Sequence, residues 1–278
     1  MKISFPLMAA LVLSIVTANA VVPVTEQSTW NEIYVVRTAS PRLVINNIWG
    51  GVKIRTGKEG QISVSATQLR SAPDQELYER SLETIALDIQ SDVDGVTITV
   101  GDPDERWHHM DRCDGCRLDI QFEVLVPPGA IVNVGTVMDG RIDIEGVTGI
   151  VTARNVNGPI RVDDIQDCEV IESVNGQVDV GFSRSPARDC NIETINGDIT
   201  LDIPVDTGLD VTLDLFNGKV VSEFVAGPLD LPATIERTTE NGHNQYRIQK
   251  LSGLRIGAGG PIYSIASING DVRIQKHQ

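Results

Sequence analysis

The sequence predicts an all-β chain: a β-solenoid-like stack of short Asn-Gly-turn repeats, preceded by a less regular β region that carries one helix. Three observations predict it. An apolar residue, Asn-Gly, any residue, apolar, any residue, apolar is a pattern that recurs along the second half of the chain. Apolar and polar residues alternate after each Asn-Gly, with the period of two that a half-buried strand requires. Aromatic residues make up only 4% of the chain, so the apolar content comes mainly from Val, Ile, Leu and Ala, the composition of thin β layers packed by aliphatics.

Residues 1–20 read as a signal peptide. Lys2 precedes an apolar run from Phe5 to Val16, and Ala18-Asn19-Ala20 gives the small-x-small site cleaved on export, which places the mature N-terminus at Val21. No later run reaches the ~20 apolar residues of a spanning helix, so no membrane insertion of the mature chain is expected. The expected location is the periplasm or the cell exterior. The net charge is -15, which repels nucleic acid and anionic lipid.

Residues 21–127 form the irregular β region. Strands are expected over Arg42 to Ile54, Gln61 to Thr67, Val96 to Val100 and Leu118 to Val126. A helix is expected after Pro73, with Asp74 as N-cap and Leu77, Leu82 and Ile85 as its apolar stripe. Val126-Pro127-Pro128-Gly129 marks a turn into the repeat region, residues 128–278, which is continuous with what precedes it.

The repeats are Val156-Asn157-Gly158, Val174-Asn175-Gly176, Ile195-Asn196-Gly197, Phe216-Asn217-Gly218 and Ile268-Asn269-Gly270, with Met138-Asp139-Gly140 and Ile48-Trp49-Gly50-Gly51 as looser copies. The glycines at 140, 158, 176, 197 and 218 are spaced 18, 18, 21 and 21 residues apart. Glycine is expected to supply a positive φ that Asn tolerates. The 52-residue gap from Gly218 to Gly270 reads as one or two coils with degenerate turns and a long insertion.

Two architectures fit these copies. In a solenoid the strands stack in parallel, Asn157, Asn175, Asn196, Asn217 and Asn269 form an amide ladder, and the apolar residue before each Asn faces inward at a corner. In the alternative, stacked β-hairpins, each Asn-Gly is a type I′ turn and Ser173, Thr194 and Ser267 share a face with the apolar set. The apolar residue before Asn favours the solenoid.

Four cysteines in an exported chain imply two disulfides. Cys168 and Cys190 open successive repeats and differ by one residue in their distance to the turn. In a parallel stack that slip leaves them within the ~4.4–6.8 Å Cα window of a disulfide, whereas in a meander they begin strands ~10 Å apart. Cys113 and Cys116 are expected to close a short loop. With His108 and His109 they also form a candidate metal set, but no second Cys/His pair at finger spacing exists and export favours oxidised thiols. No metal or other cofactor is expected.

Asp143, Arg161 and Asp179 fall in one outward row, and Gln177, Asp198 and Lys219 in another. Rows of carboxylates raise a glycoside-hydrolase reading, yet the first row alternates in sign, as cross-strand ion pairs do. Ser252 and Ser264 lack a nucleophile context, and His243 and His277 lie in polar or terminal stretches. Gly257-Ala258-Gly259-Gly260 lacks the Lys-Ser/Thr of a phosphate loop.

Leu43 to Ile54, Val124 to Gly129 and the Asn-Gly copies, spanning roughly residues 42–278, together resemble the bacterial putative-adhesin family, domain of unknown function 4097, and its relative the head-GIN auto-transporter adhesin domain. The resemblance implies a β-solenoid-like fold, an adhesion or envelope role and no catalytic residues. The expected function is a non-catalytic, exported interaction scaffold whose partner is an envelope protein or glycan. The alternative is a carbohydrate-active enzyme of β-helix type.

Overall fold

The structure is a computed structural model that describes residues 22–101, 113–229, 231, 234–240, 243–249 and 252–277, so the leader and the export site lie outside the described residues. In chain order the elements are β1 (Val24–Val35), β2 (Arg42–Asn46), β3 (Val52–Thr56), β4 (Gln61–Ala72), α1 (Gln75–Thr84), β5 (Ala86–Ser91), β6 (Gly95–Gly101), β7 (Arg117–Val126) and β8 (Ile131–Thr136). The repeats then supply β9 (Ile142–Glu145), β10 (Ile150–Asn157), β11 (Ile160–Ile165), β12 (Asp167–Asn175), β13 (Val178–Phe182), β14 (Cys190–Asn196) and β15 (Ile199–Pro204). The remainder is β16 (Leu209–Asn217), β17 (Val220–Ser222), β18 (Ala226–Pro228), β19 (Thr234–Glu240), β20 (His243–Gln249), β21 (Ser252–Ile256), β22 (Ile262–Asn269) and β23 (Val272–His277).

These strands form two open mixed sheets and a separate hairpin, β19-β20. The first sheet runs β1-β4-β7-β3-β9-β11-β13-β15-β23-β17, the second β18-β21-β16-β22-β14-β12-β10-β8-β2-β6-β5. The two strands that flank each Asn-Gly belong to different sheets, and each pairs in parallel with the equivalent strand of the neighbouring repeat. The chain therefore crosses from one sheet to the other at each Asn-Gly, which excludes the hairpin arrangement at these turns.

Both sheets bury one face in a common core. Ile98, Ile45, Val134, Ala153, Ile171, Ile192, Ile265 and Leu213 stand in register across the second sheet. Val52, Ile142, Ile160, Val178, Ile199 and Val272 do so across the first. All are buried. Each large aliphatic contributes about 1.5–3 kcal/mol on burial. A one-residue slip would turn the whole row outward, so this row fixes the register.

Four expectations need correction. Arg42 to Ile54 is not one strand but two, β2 and β3, in different sheets. The corner between them is held by Asn47, whose Nδ2 donates to the carbonyls of Gly50 at 3.1 Å and Ile120 at 3.0 Å. On α1, Asp74 Oδ1 accepts the Leu77 amide at 2.8 Å as the N-cap, but the buried stripe includes Tyr78, Ser81 and Ile85, while Leu82 is exposed. Arg70 secures the other end of the helix, donating to the carbonyls of Ser81 at 2.6 Å and Ile85 at 2.8 Å.

The third correction concerns stacking order. The last Asn-Gly repeat does not follow the Phe216 repeat in space; β22 and β23 insert between the Ile195 repeat and the Phe216 repeat. Instead of further coils, the gap holds β18 and β21, which pair antiparallel to each other and, through β21, to β16, and the β19-β20 hairpin. Arg255 on β21 clamps this end to β16 with a bidentate ion pair to Asp210, at 2.8 and 2.7 Å.

The fourth concerns glycine. The expected positive φ is found at Gly50 (101°) and at Asp139 (53°) of the two looser copies, but none of Gly140, Gly176, Gly197, Gly218 and Gly270 has one, nor does any repeat Asn. Glycine is required because a Cβ on Gly140, Gly158, Gly176, Gly197, Gly270 or Gly218 would overlap the carbonyl oxygen of the glycine stacked beneath it, in the order Gly50, Gly140, Gly158, Gly176, Gly197 and Gly270. The corners stack backbone on backbone.

Cys168 and Cys190 are joined across β12 and β14, with a Cα separation of 5.5 Å. The one-residue slip between the two repeats is taken up in β12: Val151 faces Cys168 and Thr152 faces Val170, leaving Glu169 as the extra residue of a bulge.

Gly176→Ala is expected to destabilise the protein by about 1–3 kcal/mol through backbone overlap, whereas Gly227→Ala, where a Cβ meets nothing within 4 Å, is expected to be near neutral. Urea denaturation of the oxidised protein checks the pair, and equal midpoints would refute the stacking argument. Replacing Cys168 and Cys190 together by Ser should cost ~3 kcal/mol, the closure entropy of a loop whose ends are 22 residues apart. The same denaturation assay reads this loss.

Candidate functional site

The corner shared by the repeats carries three parallel rows of side chains. The first is the amide ladder. Asn157 Nδ2 donates to the Val137 carbonyl at 3.2 Å, Asn175 to Asn157 at 2.9 Å, Asn196 to Asn175 at 2.7 Å, Asn269 to Asn196 at 2.8 Å and Asn217 to Asn269 at 3.0 Å. Each amide donates to the rung below, and each except Asn217, the top rung, accepts from the rung above. The order is that of the stack, not of the sequence.

The second row points inward. Thr136 donates to the Gly50 carbonyl at 3.0 Å, Asn155 to Gly140 at 2.7 Å, Ser173 to Gly158 at 3.1 Å and Thr194 to Gly176 at 3.0 Å. These small polar side chains satisfy glycine carbonyls buried at the corner, where an unpaired acceptor would cost about 1–3 kcal/mol. Ser267 occupies the equivalent place, its hydroxyl without a hydrogen-bond partner among the described residues. Sharing a face with the apolar set, which seemed to mark Ser173, Thr194 and Ser267 as hairpin residues, is thus a property of the parallel corner.

The third row is the one that sequence reasoning placed on the wrong side. Because Ser173 and Thr194 face inward, the apolar residue that follows each faces out. Along the stack the row reads Ile48, Val137, Val156, Val174, Ile195, Ile268 and Phe216, its rungs set by the register of the flanking residues. Its ends differ in exposure, 7% at Ile48 and 81% at Phe216; between them Val137 and Val174 are half-buried and Val156, Ile195 and Ile268 are exposed. The signal was present in the sequence: counting by twos from the buried Ile171 places Ser173 inside and Val174 outside.

From Ile48 to Ile195 the row forms the floor of a groove of about 910 Å³ that is walled at its Ile48 end by Trp49, Ile85, Val100 and the Cys113–Cys116 loop. Beside the apolar row lies a polar one: Asn46, Gly135, Arg154, Glu172, Glu193, Ala266 and Asp214. Arg154 Nε pairs with Glu172 at 2.7 Å. Glu193 receives only the Asn191 amide at 3.5 Å, and among the described residues neither it nor Asp214 has a cation within 4.0 Å.

The outer face of the other sheet is different in kind. Glu123, Lys53, Asp143, Arg161, Asp179, Thr200 and Arg273 stand in register, so the charged residues alternate in sign along the row. The hydrogen bond from Arg161 to Asp163 holds its guanidinium charge, and Asp179 and Asp143 on the neighbouring strands add to it. The second expected row is interrupted, because Asp271 stands between Asp198 and Lys219. The Asp271 amide donates to Asp198 at 2.9 Å and Arg273 bonds it at 2.8 Å. Together, the amide first, they hold its carboxyl below the usual range.

Of the other expected site residues, Cys113 and Cys116 are joined as a disulfide with a Cα separation of 5.4 Å. His108 and His109 lie outside the described residues. Among the described residues no group of three or more His, Cys, Asp or Glu side chains is placed to hold a metal ion, and no helix is long and apolar enough to cross a membrane.

No family model and no curated protein matches the chain. Among solved structures it is similar to the crystal structure of a putative cell adhesion protein from Clostridium sporogenes ATCC 15579, at 10% identity over 90% of this chain and 100% of that one, with a TM-score of 0.42. A likeness of that size carries no functional argument, and the functional reading rests on the two outer faces themselves.

Proposed function

We propose that this chain is an exported, non-catalytic interaction scaffold of the cell envelope, a β-solenoid in the adhesin-like class, that docks a partner along the apolar row from Ile48 to Phe216. One observation carries the reading: six apolar side chains in register, from Val137 to Phe216, reach the surface in one row beside a row rich in charge, with Ile48 buried at the row's end. Contiguous outward apolar rows of this kind mark interaction surfaces. Export is supported by Lys2, the apolar run and Ala18-Asn19-Ala20 in the sequence, and by four cysteines paired in two disulfides. The partner is an envelope protein or glycan.

The rival reading, a carbohydrate-active enzyme, draws on the carboxylates of the opposite face. Asp143 and Asp179 there flank Arg161 in register, and Glu145 pairs with Arg55 at 2.9 Å. That arrangement favours charge pairing on a flat sheet over an acid and a base set apart across a cleft.

The test is made in cells that export the full chain. A photo-crosslinking residue replacing Ile195 should yield adducts with envelope components, whereas the same residue replacing Asp179 on the charged face should yield none above background. The exported product should begin at Val21 by mass spectrometry. Equal crosslinking from both faces, or an intact Met1 in the envelope fraction, would count against the proposal, and release of reducing sugar from envelope polysaccharide would favour the rival.

A further inference from the structure

We infer that the occupant of the apolar row is a second copy of this chain, related to the first by a two-fold axis that runs along the strand direction through the Val174 rung. The inference rests on the reading of this face as a docking surface and names its partner. An isologous interface needs a self-complementary patch, in which residue i meets j and j meets i. This face has that property in one register.

Val174 is the fourth of seven rungs. A dyad there reverses the stack, setting Val156 against Ile195 of the second copy, Val137 against Ile268 and Ile48 against Phe216. The ends then differ in the required sense. Phe216 is the protruding end, 81% exposed, and Ile48 is the recessed end, 7% exposed beside Trp49 and Val100 in a groove of about 910 Å³ that continues along the row to Ile195. Each copy's Phe216 enters the other's groove, so the aromatic anchor and its pocket are supplied twice.

The polar row follows the same reversal. Arg154 meets Glu193 of the second copy, giving that carboxylate the cation it lacks among the described residues of its own chain. Asp214 meets Asn46, and Ala266 meets Gly135, a pair small enough to let the sheets approach. Glu172 meets its own counterpart on the axis, and each of the two carries Arg154 of its own copy at 2.7 Å. The other possible dyad, along the stack axis, reverses the strand direction instead: it sets Phe216 on Phe216 and the Arg154–Glu193 row against the asparagine ladder, which leaves Ile48 on Ile48 and Glu193 without a cation. The antiparallel register is the one selected.

The size of the patch sets its strength. Seven rungs at ~4.8 Å span ~29 Å, and three rows across span ~14 Å, roughly 400 Å² of projected area against ~800 Å² per partner in a standard interface. Each copy also carries a net charge of -15, so the copies repel at a distance. A reversible dimer that tightens as salt screens this repulsion is therefore expected, the reverse of the salt dependence of a cationic partner.

The test uses the mature oxidised protein with single cysteines added. Val174→Cys lies on the axis and should crosslink to itself under mild oxidation. Ile268→Cys alone lies four rungs, ~19 Å, from its symmetry mate and should not crosslink, but should do so when mixed with Val137→Cys, the rung it faces. Sedimentation should show a monomer–dimer equilibrium, weakened about thirty-fold by Phe216→Ser as for loss of a hot-spot anchor, with the Cys168–Cys190 disulfide retained as the control for folding. A monomer at every concentration and salt, or Ile268→Cys crosslinking as fast as Val174→Cys, overturns the dimer. If the dimer fails while Ile195 still crosslinks to envelope components in cells, the docking face stands and its occupant is another molecule; if both fail, both readings fall.

Discussion

At each corner of the stack the carbonyl oxygen of one glycine lies against the α-carbon of the glycine in the next repeat, too close for any side chain between them. This contact sets the pitch of the corner at backbone-to-backbone distance. It also creates a problem, since the carbonyls so covered are withdrawn from water. The inward Thr136, Asn155, Ser173 and Thr194 answer it by donating to them. The Asn ladder then forms because consecutive asparagines are brought to the spacing at which one amide reaches the next. Glycine contact, hydroxyl row and amide ladder are therefore consequences of one another, and loss of any glycine disturbs all three.

The same register decides what the outer faces present. Once the residue before the apolar one is committed inward to a glycine carbonyl, strand parity leaves the apolar residue no other side. The outward row is thus tied to the corner chemistry and cannot be shed by a small shift of register without turning Ile171 and its row out of the core. The first sheet has no such tie, because its strands follow the glycine. Its outer positions are free to carry charge, and they alternate in sign along the stack.

Much of this was legible from residues alone. The repeats, the parallel stacking, the Asp74 cap, the alternating charges and the Cys168–Cys190 geometry follow from local rules of spacing and parity. The role of glycine was misread because a tight Asn-Gly suggests a left-handed turn, and only the neighbouring repeat reveals that space is the constraint. The outward row was misread for a related reason: hydrophobicity was allowed to outrank parity, whereas a buried carbonyl that needs a donor outweighs one more buried methyl group. The groove along the row was not legible at all, since its wall at the Ile48 end comes from the end of α1 and from the Cys113–Cys116 loop, which are distant in sequence from the row they flank.

The stacking order was hidden for a different reason. Spacing along the chain suggests that the Phe216 repeat should lie on the Ile195 repeat, which precedes it, yet the final repeat stands between them. Asn269 bonds Asn196 across 73 residues and Asn217 bonds Asn269 across 52. Either repeat could pair in parallel with the Ile195 repeat. What distinguishes them is the end of the stack. The Phe216 repeat brings β21 and β18, paired antiparallel onto β16, and the Asp210–Arg255 clamp with them, so it can terminate a sheet edge that would otherwise remain open. Among the described residues, the repeat at Asn269-Gly270 brings no such cover. Placing it inside and the capped repeat outside leaves only the three-residue β18 at this edge of the second sheet, at the entropic cost of a longer loop, which grows only as the logarithm of loop length. β23 is therefore an interior strand of the first sheet, between β15 and β17, and the outermost repeat rests on residues some fifty positions further along the chain.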